Sequence, residues 1–83
     1  MITAGQVRAA RALLGLDQRQ LAELSGLSLP TIQRMEASDG VIRGNVDSLM
    51  KLVNALTAAG VELIGDGIAS GRGVRLAIRA SEP

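Results

Sequence analysis

The basic side chains of this chain are almost all arginines. Nine basic residues are present, and Lys51 is the single lysine. An arginine guanidinium donates paired, directional hydrogen bonds to a phosphate or to the edge of a guanine, whereas a lysine acts as a compact point charge. Because the net charge is only +1, any affinity for nucleic acid must come from where these arginines lie rather than from bulk charge.

The acidic residues do not form a catalytic pattern. They are spread over predicted caps and surface turns, as at Asp17, Glu36 and Asp39, and the chain has no His and no Cys. Histidine acid–base catalysis, disulfides and the common zinc sites are therefore excluded. The glycine-rich stretch GDGIASGRG lacks both the lysine and the following helix of a phosphate-binding loop. We expect no enzymatic activity, no metal and no cofactor.

Residues 18–37, QRQLAELSGLSLPTIQRMEA, predict two short helices joined by a tight turn. Ala22 is small where the second helix must cross closely, and Gly26 lies at the turn. The inward positions are apolar, namely Leu21, Leu27, Ile32 and Met35. Two helices joined in this way form the unit that places its second helix in the major groove of DNA. The segment therefore predicts sequence-specific binding to double-stranded DNA.

Capping residues predict the ends of four helices. Two of the N-caps are followed three residues later by glutamine, which is the capping-box pattern. The predicted N-caps are Thr3, Asp17, Ser28 and Asn45, and the predicted terminal glycines are Gly15, Gly26 and Gly60. The fourth helix is expected to close the core with a stripe of apolar residues at helical spacing. That stripe consists of Val46, Leu49, Met50, Val53 and Leu56.

After Gly60 the apolar period changes from that of a helix to that of a strand. Residues 61–64 and 73–79 predict two strands joined by a loop at 65–72. In the second strand we expect one face of Val74, Leu76 and Ile78 and an opposite face of Arg75, Ala77 and Arg79. A two-stranded hairpin is marginal alone, so it must pack on the helices or pair with another copy. We divide the chain into a helix-turn-helix domain, 1–60, and a hairpin extension with a tail, 61–83, as a candidate surface for dimerisation or for a partner.

The composition suits one small domain without a membrane segment. The 83 residues are 47 % apolar, yet none is aromatic, so bases cannot stack on rings as they do in single-strand binders and many RNA binders. No apolar run approaches the roughly 20 residues of a membrane span, and no signal-peptide pattern follows Met1. We expect a soluble cytoplasmic protein whose small core gains from dimerisation.

Residues 11–38, RALLGLDQRQLAELSGLSLPTIQRMEAS, resemble the lambda-repressor-like, Cro-like family, which is often called the XRE family. The resemblance rests on the glutamine that starts the second helix, the following Leu-Ala pair, the glycine at the turn, and the isoleucine and glutamate of the third helix. It covers roughly the first sixty residues. It implies a mainly α fold, a four-helix helix-turn-helix domain, to which this chain adds its C-terminal two-stranded β-hairpin.

The resemblance also implies contacts with the DNA backbone. Gln18 matches a position that holds a phosphate, where a side-chain amide and helix N-terminal N–H groups suit an anionic oxygen. Ser28 matches a position that caps the third helix and can reach phosphate. Arg43 lies where the family runs along the backbone, and it is either a phosphate contact or a solvated loop charge. Arg19, next to Gln18, is a further phosphate candidate.

By the same resemblance, the exposed front of the third helix recognises bases. Its residues are Leu29, Pro30, Thr31, Gln33 and Arg34. Arg34 is the strongest candidate, because a guanidinium can bond to both O6 and N7 of a guanine. Leu29 and Pro30 depart from the polar residues of relatives, and they can contact thymine methyl groups but cannot donate hydrogen bonds. Specificity then depends more on Arg34 and on DNA shape.

Two further groups of charges have structural interpretations. In relatives, residues at the positions of Arg11 and Glu36 form an ion pair that links the first helix to the end of the third, and we prefer this structural interpretation to the alternative of a phosphate contact by Arg11. Arg72, Arg75 and Arg79 form a basic cluster that is either an additional DNA-binding arm or the solvent face of a strand, where positive charge deters edge aggregation. Glu62 in the partner strand is expected to pair with one of these arginines.

Together these features favour a small dimeric transcription regulator, and a repressor over an activator. Two recognition helices related by a twofold axis would contact the half-sites of a palindromic operator about one helical turn apart. No small-molecule ligand domain is expected. The alternative is the antitoxin of a toxin–antitoxin pair, which would regulate its own synthesis through the same motif and bind a toxin through the surface from Val61 onward.

Overall fold

Four helices precede a two-stranded antiparallel sheet in the computed structural model, which describes residues 2–65 and 71–77. The helices are α1 (Ala4–Leu14), α2 (Gln18–Ser25), α3 (Leu29–Glu36) and α4 (Val46–Ala58), and the strands are β1 (Val61–Ile64) and β2 (Gly73–Leu76). The mainly helical fold with a C-terminal hairpin is thus confirmed.

Local hydrogen bonds start and stop the helices where the sequence predicts. The Thr3 hydroxyl accepts from the Gln6 amide at 3.1 Å, and the Asp17 carboxylate accepts from the Gln20 amide at 2.7 Å. Both glutamine side chains bond back to the amide of their cap, each at 2.9 Å. Gly15 ends α1 at a φ of 69°, a left-handed conformation that other residues rarely adopt. The ends of these helices are therefore encoded locally.

One core joins all four helices to the hairpin. Its largest fully buried side chains are Leu21, Ile32, Met35, Leu52, Leu56, Val7 and Val61. The α2–α3 unit contributes three of the predicted inward residues to it, and Leu27 packs on it half-buried. Because α3 is anchored by Ile32 and Met35, its opposite face is turned outward.

The predicted core stripe of α4 is wrong at Val46 and Met50, which are 75 % and 50 % exposed. Leu49 and Leu56 are buried as predicted, Val53 packs half-buried against the core, and the helix also buries Leu52, which was not predicted. The apolar residues of α4 extend around more than one face of the helix, so their spacing alone allows more than one rotation of the helix. The observed rotation buries three leucines, and each fully buried leucine contributes about 1.5–3 kcal/mol.

The hairpin packs on the helices, and Gln6 holds it there. The Gln6 amide nitrogen donates to the carbonyl of Ile64 at 2.8 Å and to that of Gly73 at 3.0 Å, at the paired ends of the two strands. Val61 is fully buried at the other end of β1. Gln6 therefore serves both as the capping-box residue of α1 and as a clamp on a hairpin far along the chain.

The second strand differs from its prediction. It ends at Leu76 and Ala77 lies beyond it, whereas Ile78 and Arg79 fall outside the described residues. Val74 packs on the core as expected, but Leu76 is 53 % exposed. Its register partner Val61 fills the core at this end of the sheet, which leaves Leu76 at the margin.

The predicted pairing of Glu62 with one of the arginines is confirmed. Arg75 Nη2 donates to Glu62 Oε1 at 2.7 Å between residues that face each other in the register. This hydrogen bond lowers the pKa of the Glu62 carboxyl from its ordinary value. Both side chains are exposed, so the charge of Arg75 is satisfied on the solvent face of the sheet.

Replacing Gln6 with alanine is expected to loosen the hairpin. Two strand carbonyls would lose their buried donor, which costs about 1–3 kcal/mol, and amide hydrogen exchange should accelerate in β1 and β2 more than in α3. Gln20→Ala is the matched control, because Gln20 makes the same capping box on α2 but is exposed and makes no hydrogen bond to the residues of the hairpin that the structure describes. Equal hydrogen exchange in the hairpins of the two variants would contradict the clamp.

Candidate nucleic-acid interface

The start of α3 is set by Ser28. Its hydroxyl accepts from the Thr31 amide at 3.2 Å and lies 2.8 Å from the Thr31 hydroxyl. Pro30 stands in the first turn, where no hydrogen bond from its nitrogen is needed. The turn before Ser28 contains Gly26 at a φ of 74°. This geometry fixes the angle at which α3 leaves α2.

The outward face of α3 presents Pro30, Gln33 and Arg34 to solvent. Leu29 and Thr31, which were also predicted there, are half-buried. The prediction of an exposed Leu29 is wrong because its side chain packs partly buried against the core. The predicted five-residue front is therefore narrowed to three exposed side chains, of which Gln33 and Arg34 can form hydrogen bonds with base edges.

Arg11 on α1 and Glu36 at the end of α3 form a bidentate ion pair. Arg11 Nε and Nη2 each donate to one oxygen of the Glu36 carboxylate at 2.7 Å. The Glu36 side chain is only 3 % exposed and that of Arg11 is 20 % exposed. The hydrogen bond to Glu36 raises the pKa of the Arg11 guanidinium above its ordinary value. The pair fixes the end of α3 to α1.

Two further side chains join this pair, and the sequence pattern indicated neither contact. Gln18 Nε2 donates to Glu36 Oε1 at 3.3 Å, and Arg8 Nη1 donates to the backbone carbonyl of Glu36 at 2.6 Å. Arg8 lies one turn before Arg11 on α1, and this spacing is the signal that could have revealed it. Glu36 thus connects α1, α2 and α3, and it holds the side chain that was predicted to contact phosphate.

Three exposed arginines lie on the α2–α3 unit or on the connection that follows it. Arg19, Arg34 and Arg43 make no side-chain hydrogen bond or ion pair with any residue that the structure describes. Their guanidinium groups can therefore bind an anion without first breaking a hydrogen bond or an ion pair. Lys51 differs, since its ammonium lies 3.5 Å from the carboxylate of Asp47 on the same helix.

The connection from α3 to α4, which carries Arg43, is tied to the N-terminal residues. The amide of Ile42 donates to the carbonyl of Ile2 at 3.1 Å, and the amide of Ala4 donates to the carbonyl of Gly40 at 2.9 Å. Ile42 is also buried in the core. Arg43 therefore stands on an anchored segment rather than on a free loop.

Other classes of site are not seen among residues 2–65 and 71–77. No group of acidic residues there is arranged to hold a metal ion. No helix in this part of the chain is long and apolar enough to cross a membrane.

The geometry agrees with a comparison to known protein families. The family model HTH_3, described as Helix-turn-helix, matches residues 7–57, which include the whole of α2 and α3 and the ion pair below them. No curated protein matches the chain.

Proposed function

Because the chain belongs to the XRE-type helix-turn-helix family HTH_3, whose members are DNA-binding regulators, we propose that it is a homodimeric repressor that recognises a palindromic operator through α3. The observation that carries the proposal is the contrast between the two faces of α3. Ile32, Met35 and Glu36 are buried on one face, while Gln33 and Arg34 stand exposed on the other.

Arg34 is the proposed base-recognition residue. Arg34 is exposed and its guanidinium makes no hydrogen bond or ion pair with the described residues, so it can donate two parallel hydrogen bonds to O6 and N7 of a guanine. Gln33 is the second candidate, for adenine. Pro30, and the half-buried Leu29 and Thr31, can add only apolar or hydroxyl contacts at the margin of this face.

Gln18 and Ser28 are proposed to bind phosphates on either side of α3. One proton of the Gln18 amide is directed at Glu36, and the second remains for a phosphate beside the free N–H groups of the first turn of α2. The Ser28 and Thr31 hydroxyls share one hydrogen bond. Since two hydroxyls carry two protons, one proton of this pair is left to donate to a phosphate.

Arg19 and Arg43 are proposed to extend the backbone contacts. Neither guanidinium is engaged elsewhere in the described residues. Residues 1–60 would then form the DNA-binding part of the chain, and residues 61–83 an extension that supports it. Phosphate contacts position a protein on the duplex without selecting its sequence.

Replacing Arg43 with alanine should weaken binding to every duplex by a similar factor. Each phosphate contact that is lost lowers the magnitude of the slope of log K against log salt concentration by about 1, so a homodimer that loses one contact in each half should show a magnitude lower by about 2. The matched control is Arg75→Ala, which removes one positive charge that is already paired with Glu62. A titration by fluorescence anisotropy at several salt concentrations measures both slopes, and an equal effect of the two substitutions would rule out the contact.

Repression is tested separately from binding. A duplex that the protein selects is placed over a reporter promoter, and the wild-type chain should lower expression while a chain lacking the Arg34 guanidinium should not. Higher expression with the wild-type chain would identify an activator instead.

The antitoxin alternative receives less support. It needs a partner surface beyond Val61, but Val61 and Val74 are turned toward the core of the same chain. In the part of the hairpin that the structure describes, Leu76 is the large apolar side chain that is exposed. Besides Leu76, the described hairpin offers a partner protein only the half-buried Leu63 and Ile64, and this limited apolar surface favours the repressor.

A further inference from the structure

Helix α4 carries an apolar stripe that lies largely outside the core, with Val53 alone of its residues packed against it. Val46, Met50 and Val53 follow one another at helical spacing, and we call them the outer stripe. Val46 is 75 % exposed, Met50 is 50 % exposed, and Val53 is half-buried. Exposed apolar residues scattered singly are ordinary, but a contiguous patch marks an interaction site.

An apolar groove of about 250 Å³ lies beside the outer stripe. Met50 and Val53 form one wall, and Ile2, Leu63 and Ile64 contribute to the others. The polar side chain in the wall is Gln6, whose amide nitrogen already donates to two strand carbonyls. The groove therefore suits an apolar side chain rather than a polar ligand.

We propose that the outer stripe and this groove are the face through which two copies of the chain associate about a twofold axis. The proposal rests on the dimer of the proposed function and identifies its interface. A twofold interface uses the same patch on both partners. This face carries both protruding side chains and an adjoining groove. Two copies can therefore pack against each other, with Met50 of each copy entering the groove of the other.

The charges beside the stripe favour a second copy as the occupant. Asp47 and Lys51 each adjoin a residue of the stripe, and their pairing within one helix is exposed and therefore weak. An antiparallel crossing of two α4 helices centred near Leu49 brings Asp47 of each copy opposite Lys51 of the other. A parallel crossing would not bring Asp47 of one copy opposite Lys51 of the other, so the charge pattern is complementary to itself only in the antiparallel arrangement.

The interface would also lie close to the proposed DNA contacts. Arg43 precedes Val46 by three residues on the anchored connection, and Ile42 beside it is buried. A twofold axis near Leu49 therefore places one Arg43 on each side of the interface.

The test is the oligomeric state of the full chain, measured by sedimentation equilibrium over a range of concentrations. Val46→Glu and Met50→Glu are expected to weaken self-association by about 30-fold or more, as at other buried interface centres. Val46 is the first residue of α4, where a carboxylate interacts favourably with the helix dipole. The Val46→Glu variant should therefore remain folded. Leu24→Glu is the control, because Leu24 on α2 is 50 % exposed, the same fraction as Met50.

A charge exchange tests the identity of the occupant. Asp47→Lys should weaken the dimer by placing two positive charges opposite each other, and the double variant Asp47→Lys/Lys51→Asp should restore it. Restored self-association of the double variant supports a second copy of this chain as the occupant of the groove. A failure of the double variant to recover self-association would contradict the antiparallel crossing.

The remaining outcomes separate this interface from the proposed function. A wild-type dimer that withstands both glutamate substitutions, or that Leu24→Glu disrupts equally, overturns the interface and leaves the dimer standing. A wild-type chain that is monomeric at every concentration overturns both the interface and the dimer. DNA recognition by α3 is judged independently, because a folded, monomeric Val46→Glu chain should still bind single half-sites selected from random duplexes.

Discussion

Replacing Glu36 with alanine is expected to lower the free energy of unfolding by about 3 kcal/mol, toward the low end of the range for breaking a buried ion pair. The buried carboxylate accepts two hydrogen bonds from Arg11 and one from Gln18. Its removal leaves the Arg11 charge only 20 % exposed and without its partner. The low end applies because this remaining exposure lets water solvate the guanidinium in part.

Thermal unfolding followed by circular dichroism measures this loss. For a domain of this size each kcal/mol shifts the melting temperature by about 4–8 °C, so the shift should be large. An unchanged melting curve would contradict a structural role for the pair. The paired substitution Arg11→Met/Glu36→Met is the control, since removing both charges together is often neutral or stabilising.

The same double variant separates stability from DNA binding. It removes the carboxylate that holds the Gln18 amide while the fold is retained. If Glu36 orients Gln18 toward a phosphate, the double variant should bind DNA more weakly than the wild type, and Gln18→Ala should then cost less in the double variant than in the wild-type chain.

Replacing Arg34 with alanine is expected to cost about 1–3 kcal/mol of binding free energy in each half-site and to relax the preference at one base pair. The reason is the loss of two parallel hydrogen bonds to a single guanine. Binding to duplexes in which that guanine is already replaced should change little. The effect is therefore one of specificity rather than of general affinity.

Arg75→Ala is the matched control for Arg34→Ala. It also removes one arginine, but from the hairpin, where the guanidinium is paired with Glu62 at 2.7 Å. Titrations of both variants against duplexes selected by the wild type, and against the same duplexes with the guanine changed, measure the difference. A uniform loss of affinity in Arg34→Ala would make this residue a phosphate contact and not a base reader.

The parts of the fold that short-range signals control were predictable from the sequence. Thr3 and Asp17 start their helices with side-chain bonds to residues three positions away, and Gly15 ends α1 by its own conformation. These interactions depend on a few neighbouring residues. The pattern of the α2–α3 unit likewise located Ile32 and Met35 in the core.

The sequence-based predictions fail where packing between segments far apart in the chain determines which side chains are buried. Val46 and Met50 fit a helical stripe as well as Leu52 does, and only the contacts with the other helices select the rotation that buries Leu52. The clamp formed by Gln6 joins residues 58 and 67 positions apart, so its sequence context shows only the capping role. Leu29 is half-buried for the same reason, since its surroundings are supplied by the core rather than by α3.

The central claim is that α3 of a twofold dimer recognises a defined operator, and selection of bound duplexes from a random pool at near-physiological salt tests it most directly. We expect an enriched motif with twofold symmetry, with half-site centres about one helical turn apart and with a guanine in each half that the Arg34→Ala protein no longer selects. A folded wild-type protein that enriches no motif would contradict the claim.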